Sequence, residues 1–240
     1  MHQTPLQLLQ ETATSNAAAD LGRGVELLRE VATGARPPLL RLYVPAPTLA
    51  FGQRDARLEG FDAAWLACEE AGFTPVVRQA GGRAAAYHQG TLIVDHVEPE
   101  AQAVRGQQAR FGHFGELFAS ALQGVGVDAA VGEIPGEYCP GEYSVHGTPR
   151  GGGQAVKLVG TAQRVVAGAW LFTSVVVVKD SAPLRSLTTD VYRLLGMPLD
   201  PATVGAAEDL VPLGERVAVS TDAVAASILS TWAGAGYPAA

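Results

Sequence analysis

The stretch AVKLVGTAQRVVAGAWLFTSVVVV, residues 155–178, constrains this chain more than any other. Both halves are rich in β-branched residues, and Ala167-Gly168 stands between them as a turn, so the pattern is a long antiparallel β-hairpin. An all-helical fold is thereby excluded. The same stretch holds the longest apolar run, AGAWLFTSVVVV, which contains Thr173 and Ser174 and falls far short of a membrane span.

Helical and strand patterns alternate around the hairpin. Residues 16–31 carry Leu21, Val25, Leu28 and Val31 at helical spacing behind an Asn16 cap. PPLLRLYV and TLAFG read as two strands, separated by a turn with Pro45 and Pro47. FDAAWLACEEAG is a helix of about three turns closed by Gly72. FTPVVRQ is a short buried strand, AGGRAAAYH a glycine turn, and GTLIVDHV the strand after it. From Glu98 to about Gly124, with Pro99 in the first turn, the pattern is helical, and Phe111, Phe114, Leu117, Phe118 and Leu122 form a core-facing stripe. Residues 131–155 read as a long functional loop with a short strand at EYSVH. Helices near 183–196 and from Asp222 to Gly234 complete the order. Mixed helices and strands with an antiparallel component make the class α+β.

Charge and cysteine usage narrow the function. A net charge of −7 argues against a nucleic-acid surface, which needs a basic patch. No early stretch has the basic and apolar regions of a signal peptide, and two cysteines make no disulfide framework, so a cytoplasmic protein with free thiols is expected. Cys68 lies in an alanine-rich helical pattern, where a small apolar residue suits packing. Cys139 lies on a loop in EYCPGEYSV, where packing does not call for it. A reactive cysteine needs a cation or amide dipoles nearby.

Lys157 is the candidate cation. Only Lys157 and Lys179 are lysines among the 17 basic residues, and Lys157 sits in an apolar strand, its ammonium either in a cleft or snorkelling outward. Gly160, Thr161 and Ala162 follow it, and a strand glycine permits close approach of a ligand. In RQAGGRAAAYH, Gly81 and Gly82 free the backbone, and Arg78 and Arg83 offer forked donors for a carboxylate or phosphate. His88 and His96 fit no zinc spacing, so no metal site is expected. His113 reads as structural, and His146 as a base only if it lies near Cys139.

Taken in this order, the three stretches resemble the biotin/lipoate protein ligase catalytic-domain family, and within it the branch of lipoate-protein ligase A and cysteine-dependent octanoyltransferases. GGRAAAYH is similar to that group's glycine turn, with Tyr87 and His88 in place. KLVGTAQRVVAGAWLFTSVVVV is similar to its lysine hairpin, and PPLLRLYVPAPTLAFGQ to its opening strand pair. The resemblance covers about residues 16–195. It implies one catalytic domain over 1–240 with a helical C-terminal part from about 181, built on a mixed, mostly antiparallel sheet flanked by helices.

The resemblance also implies acyl transfer to the lysine of a lipoyl carrier domain, such as that of a 2-oxoacid dehydrogenase or the glycine cleavage H protein. Lys157 would hold the acyl carbonyl, and Cys139 would accept an octanoyl or lipoyl group from an acyl carrier protein thioester without a cofactor. Arg78, Gly81, Gly82, Arg83, Tyr87, His88, Gly160, Thr161 and Ala162 would bind substrate. The glycine turn and the Lys157 strand would then line one elongated pocket with apolar walls for about eight carbons. Two alternatives stand: a ligase that forms an acyl-adenylate with ATP and Mg, and a non-catalytic relative that binds lipoyl domains or a small acid. The turn has one residue more than usual between Gly82 and Tyr87. The ligase's Asp-x-Gly-Asn run is absent after His88, and its His-His-Gly-Thr appears as Leu171, Phe172, Thr173 and Ser174. These departures weigh against ATP chemistry more than against the thiol route.

Overall fold

The computed structural model describes residues 5–79 and 81–240. Two sheets divide the strands. The larger is built from β1 (Gln7–Thr12), β2 (Leu39–Val44), β6 (Thr91–Pro99), β7 (Ala129–Val131), β8 (Val145–Gly147), β9 (Val156–Val166) and β10 (Ala169–Val177), in the order β1-β2-β6-β10-β9-β8-β7. The smaller holds β3 (Thr48–Phe51), β4 (Thr74–Val77) and β5 (Ala85–Tyr87), in the order β4-β3-β5. Among the described strand pairs, β1–β2 and β3–β4 are parallel and the others antiparallel. The β9–β10 hairpin turns at Ala167-Gly168, where Gly168 takes φ 88°, a conformation that costs glycine little.

Alternation sorts the large sheet's side chains onto two faces. Leu40, Leu42, Leu92, Val94, Phe172 and Val176 meet helices α3 (Gln107–Gly124) and α5 (Thr221–Gly234) in the main core. On the other face, Leu39, Val97 and Leu171 pack under α1 (Ala17–Ala32). Further along that face, Tyr43, Ile93, Val175 and Val177 meet the small sheet with α2 (Phe61–Glu70) and α4 (Ser181–Leu194). Asn16 caps α1 by accepting the Ala19 N–H at 3.0 Å. Among the described residues no helix is long and apolar enough to cross a membrane.

The structure departs from the sequence pattern at four places. Glu98 and Pro99 belong to β6, opposite Trp170 and Ala169, and α3 begins only at Gln107 after Gly106. Pro99 ends the strand rather than opening a helix, because it has no N–H for the ladder. The strand expected at EYSVH is Val145–Gly147, pairing with β7 on one side and β9 on the other. The β1 segment QLLQET lacks β-branched residues apart from its last, and its partner lies about thirty positions away in β2, so no local signal announces it. Phe111 does more than the stripe predicts: beside packing edge-on against Phe172 in the core, it stacks on Tyr143 and reaches a cavity described below.

Candidate active site

A cavity of about 550 Å³ opens between the α1 face of the large sheet, the edge of the small sheet and the loop carrying Cys139. Leu21, Val25, Val76, Ile93, Leu171 and Val175 give it apolar walls. Of the residues singled out from sequence, Cys139, Lys157, Arg78, Gly82, Tyr87, Gly160, Thr161 and Ala162 line it.

Cys139 is presented by strained backbone. Its φ is 45°, in the left-handed region that costs a side-chain-bearing residue about 1–2 kcal/mol. The conformation is held from several sides. The Cys139 N–H donates to the Tyr192 hydroxyl at 2.7 Å, and that hydroxyl donates to the Ala84 carbonyl at 3.1 Å. Sγ accepts the backbone N–H of Arg83 at 3.1 Å. A Cβ on Gly82 would meet an Arg78 guanidinium nitrogen at 2.4 Å and Cys139 Sγ at 3.0 Å, and Gly82 itself has φ 100°. Only glycine fits between thiol and guanidinium. Arg78 is fixed by donating to the Tyr87 hydroxyl at 2.8 Å and the Arg83 carbonyl at 2.6 Å, while its buried Nε has no partner. Burial pushes Tyr87, Tyr138 and Tyr192 above the ordinary phenol range, so these hydroxyls stay protonated.

Lys157 is buried, not snorkelling, and does not touch the thiol. Its Nζ donates to Glu137 Oε1 at 3.0 Å and to the carbonyls of Tyr138 and Cys139 at 3.0 and 2.7 Å. The cation facing Sγ is Arg78, and Lys157 instead grips the backbone of the cysteine loop. Glu137 had no signal in sequence that set it apart from Glu142. Its fully buried carboxylate accepts from Lys157, from Ser144 Oγ at 2.5 Å and from the Gly141 N–H at 3.2 Å, knotting the loop around itself.

Three expected binding residues lie elsewhere. His88 is buried away from the cavity, with Nε2 donating to the Asp180 carbonyl at 2.8 Å and Nδ1 accepting the Gly90 N–H at 2.9 Å, so it staples a turn. The Arg83 guanidinium pairs with buried Asp55 at 2.9 Å, and only its backbone N–H serves the site. Gly81 does not line the cavity and borders open space. His146 donates from Nδ1 to the Gly132 carbonyl at 2.9 Å and does not line the cavity, and among the described residues no histidine does. His113 packs against Phe114 and Tyr237. Cys68 is sealed in α2, donates to the Ala64 carbonyl, and burial pushes its thiol up to about 12, which leaves it inert.

The chain is similar to several known proteins. An octanoyl-[GcvH]:protein N-octanoyltransferase of Geobacillus kaustophilus is 30% identical over 142 residues, which is 59% of this chain and 48% of the relative. A lipoyl-[GcvH]:protein N-lipoyltransferase of Listeria monocytogenes is 26% identical over 175 residues, 71% of this chain and 59% of the relative. The chain therefore spans about half the length of these relatives. A crystal structure of lipoate-protein ligase A bound with ATP superposes with a TM-score of 0.72 at 19% identity, covering 96% of this chain and 85% of that one. It shares the fold. The model of the lipoyl protein ligase A/B catalytic domain matches residues 16–191, and the chain belongs to that family.

Proposed function

We propose that this protein is an acyltransferase of lipoate metabolism, moving an octanoyl or lipoyl group through Cys139 to the lysine of a lipoyl carrier domain. One observation carries this function: the strained cysteine lines a largely apolar cavity, its sulfur accepting a backbone N–H and the Arg78 guanidinium standing across Gly82 from it. Two relatives named for transfer from GcvH support it, and their names make octanoyl-GcvH a donor to test beside an octanoyl acyl carrier protein.

In the first step Cys139 Sγ attacks the acyl carbonyl. The S–C bond forms, the donor's bond to the acyl carbon breaks, and the thiol proton leaves with the donor's departing group. The Arg83 N–H and the Arg78 guanidinium lie beside the sulfur, where the carbonyl oxygen gains charge. In the second step the carrier lysine's amine attacks the thioester, the amide forms, and Cys139 leaves with the proton. Lys157 holds the loop through its carbonyls and reaches the acyl oxygen only by releasing one of them. The reaction belongs in the cytoplasm, where the thiol stays reduced.

Intact-mass measurement tests the proposal. Incubation with octanoyl-GcvH or an octanoyl acyl carrier protein, without acceptor, should add one octanoyl group that hydroxylamine removes. Cys139→Ser should lose it, and Cys68→Ser should keep it. Full ATP-dependent lipoylation by Cys139→Ser with no adduct on the wild type would establish a ligase instead. Neither adduct nor ATP-dependent transfer would leave a binding protein.

A further inference from the structure

The far floor of the cavity is polar, and the proposed chemistry does not use it. Strand pairing sets Arg41, Asp95, Thr173 and Ala162 in one row across β2, β6, β10 and β9, and Tyr43, Ile93, Val175 and Gly160 in the row nearer the nucleophile. Lys157 Cε lies 3.8 Å from where a Gly160 Cβ would stand, so the ammonium end of the cavity is at the Gly160 row. Two residues of strand separate the rows by about 6.7 Å. An extended eight-carbon acyl chain is longer than that. Its last carbons therefore reach Asp95 and Thr173, which line the cavity together with Gly22, Gly24 and Val25 of α1.

Of the Arg41 row, Asp95, Thr173 and Ala162 line the cavity, and the first two present acceptors to it. Thr173 spends its hydroxyl proton on Asp95 Oδ1 at 2.5 Å. Arg41 donates to Asp95 Oδ2 at 2.9 Å, to the Asp20 carbonyl at 3.1 Å and to Glu11 at 2.5 Å. What remains toward the cavity is the Thr173 oxygen and the spare lone pairs of the carboxylate. Glycine at position 24 lets α1 pass directly over this group, since a Cβ there would come within 3.0 Å of Asp95 Oδ2. A plain alkyl end covering the row strips water from acceptors and returns nothing, whereas a chain end carrying its own proton replaces that water.

We infer that Asp95, its Oδ1 held by Thr173, selects an eight-carbon acyl group bearing a hydroxyl or thiol donor on its distal carbons over plain octanoyl, the reduced dithiol form of a lipoyl chain being one such group. The inference rests on the acyl-binding reading of this cavity and names its substrate class.

Calorimetric titration of the full chain with octanoic, 8-hydroxyoctanoic and dihydrolipoic acids tests it without requiring catalysis. The wild type should bind the two donor-bearing acids about 10- to 100-fold more tightly than octanoic acid. Asp95→Asn puts an amide N–H into the floor while Glu11 still pairs Arg41, so the ratio should collapse toward one. Thr173→Val removes a donor from Asp95, so the ratio should hold or rise. An ion pair that is merely structural would weaken all three acids equally in Asp95→Asn, and an unchanged ratio in that variant would overturn the inference, as would equal wild-type affinity for octanoic acid. Mass spectrometry of Cys139 runs in parallel. A normal acid preference with no acyl adduct would sink the transferase function alone, and an adduct without preference would sink this inference alone.

Discussion

Glu137 is the residue whose loss should be felt most widely. Its side chain is 0% exposed and that of Lys157 is 2% exposed, so Glu137→Ala strands an ammonium in the interior and unties Ser144 and Gly141 together. Removing one partner of a buried pair costs about 3–5 kcal/mol, because the other charge keeps its desolvation penalty without its compensation. For a chain of this size that is a fall in Tm on the order of 10 °C. Glu137→Gln keeps an acceptor for Lys157 and Ser144 and should lose about 1–3 kcal/mol, the worth of charge in these bonds. The double variant Glu137→Leu with Lys157→Met buries no lone charge and should recover at least half of the loss, which makes the cycle strongly non-additive. Urea denaturation with a constant m-value reads these differences. Acylation of Cys139, followed by mass at a temperature where the variant is folded, reads the site. A Glu137→Ala stability within about 1 kcal/mol of wild type, or an additive double variant, would refute the claim that this pair braces the loop.

Four further outcomes are expected. Lys157→Arg should lose transfer by roughly 10²–10³ in kcat without regaining it from the retained charge, because a planar fork cannot donate to three oxygens around one point; near-native turnover would show that any cation suffices. Gly82→Ala should abolish thiol acylation, since its Cβ would stand 2.4 Å from the Arg78 guanidinium and 3.0 Å from Sγ, and an acylation rate within tenfold of wild type would contradict the packing drawn here. Cys139→Gly should lose the acyl adduct yet stabilise the fold by up to about 1 kcal/mol in urea, as φ 45° then costs nothing; destabilisation would show that the thiol's contacts outweigh the strain. Burial holds His96 below its ordinary value while Nδ1 accepts the Trp232 N–H at 3.2 Å. The unfolded chain thus takes up this proton first, and stability should fall as pH drops below about 6.5, by at most about 1.4 kcal/mol per pH unit, with His96→Gln flattening that slope.

How much of this was legible in the sequence depended on how local each determinant is. The hairpin carries its own turn and its own alternation, so Lys157 and Gly160 could be assigned to one strand before any partner was known. The glycine turn was legible for the same reason, and Gly82 does take the backbone that only glycine tolerates. Arg83 was half legible: an arginine beside a glycine suggests a forked donor, yet the fork goes to Asp55 and the backbone does the work at the sulfur. His88 misled because its neighbours in sequence face the cavity while its ring turns to the Asp180 carbonyl. Glu137 was not legible, since which of two glutamates in EYCPGEY is buried depends on where β9 passes behind the loop. Asp95 and Arg41 did leave a trace, as charges inside otherwise apolar strands. Their pairing across 54 positions is a matter of register between β2 and β6 that no local pattern carries.

The placement of Cys139 on a turn suits the nucleophilic role proposed for its thiol. A helix would have hidden the sulfur, as α2 hides Cys68 behind the Ala64 carbonyl. A regular strand would have carried it onto one face of a sheet with its N–H and carbonyl consumed by the ladder. On the loop, the Cys139 N–H and carbonyl are free to be held individually, by Tyr192 from α4 and by Lys157 from β9. Two separate elements thus hold one left-handed residue from its N–H and its carbonyl, which is the condition under which such strain persists. The sulfur is then the one part of Cys139 left to approach a substrate, with Arg78 and the Arg83 N–H from the glycine turn on its other side. Lysine hairpin and glycine turn therefore serve a single group from opposite directions. One fixes the backbone of the proposed nucleophile and the other brings a guanidinium and a backbone N–H toward its sulfur, so variants in the two should differ in kind: Lys157 changes ought to loosen the loop as well as slow transfer, and Gly82 changes ought to slow transfer while the loop stays in place.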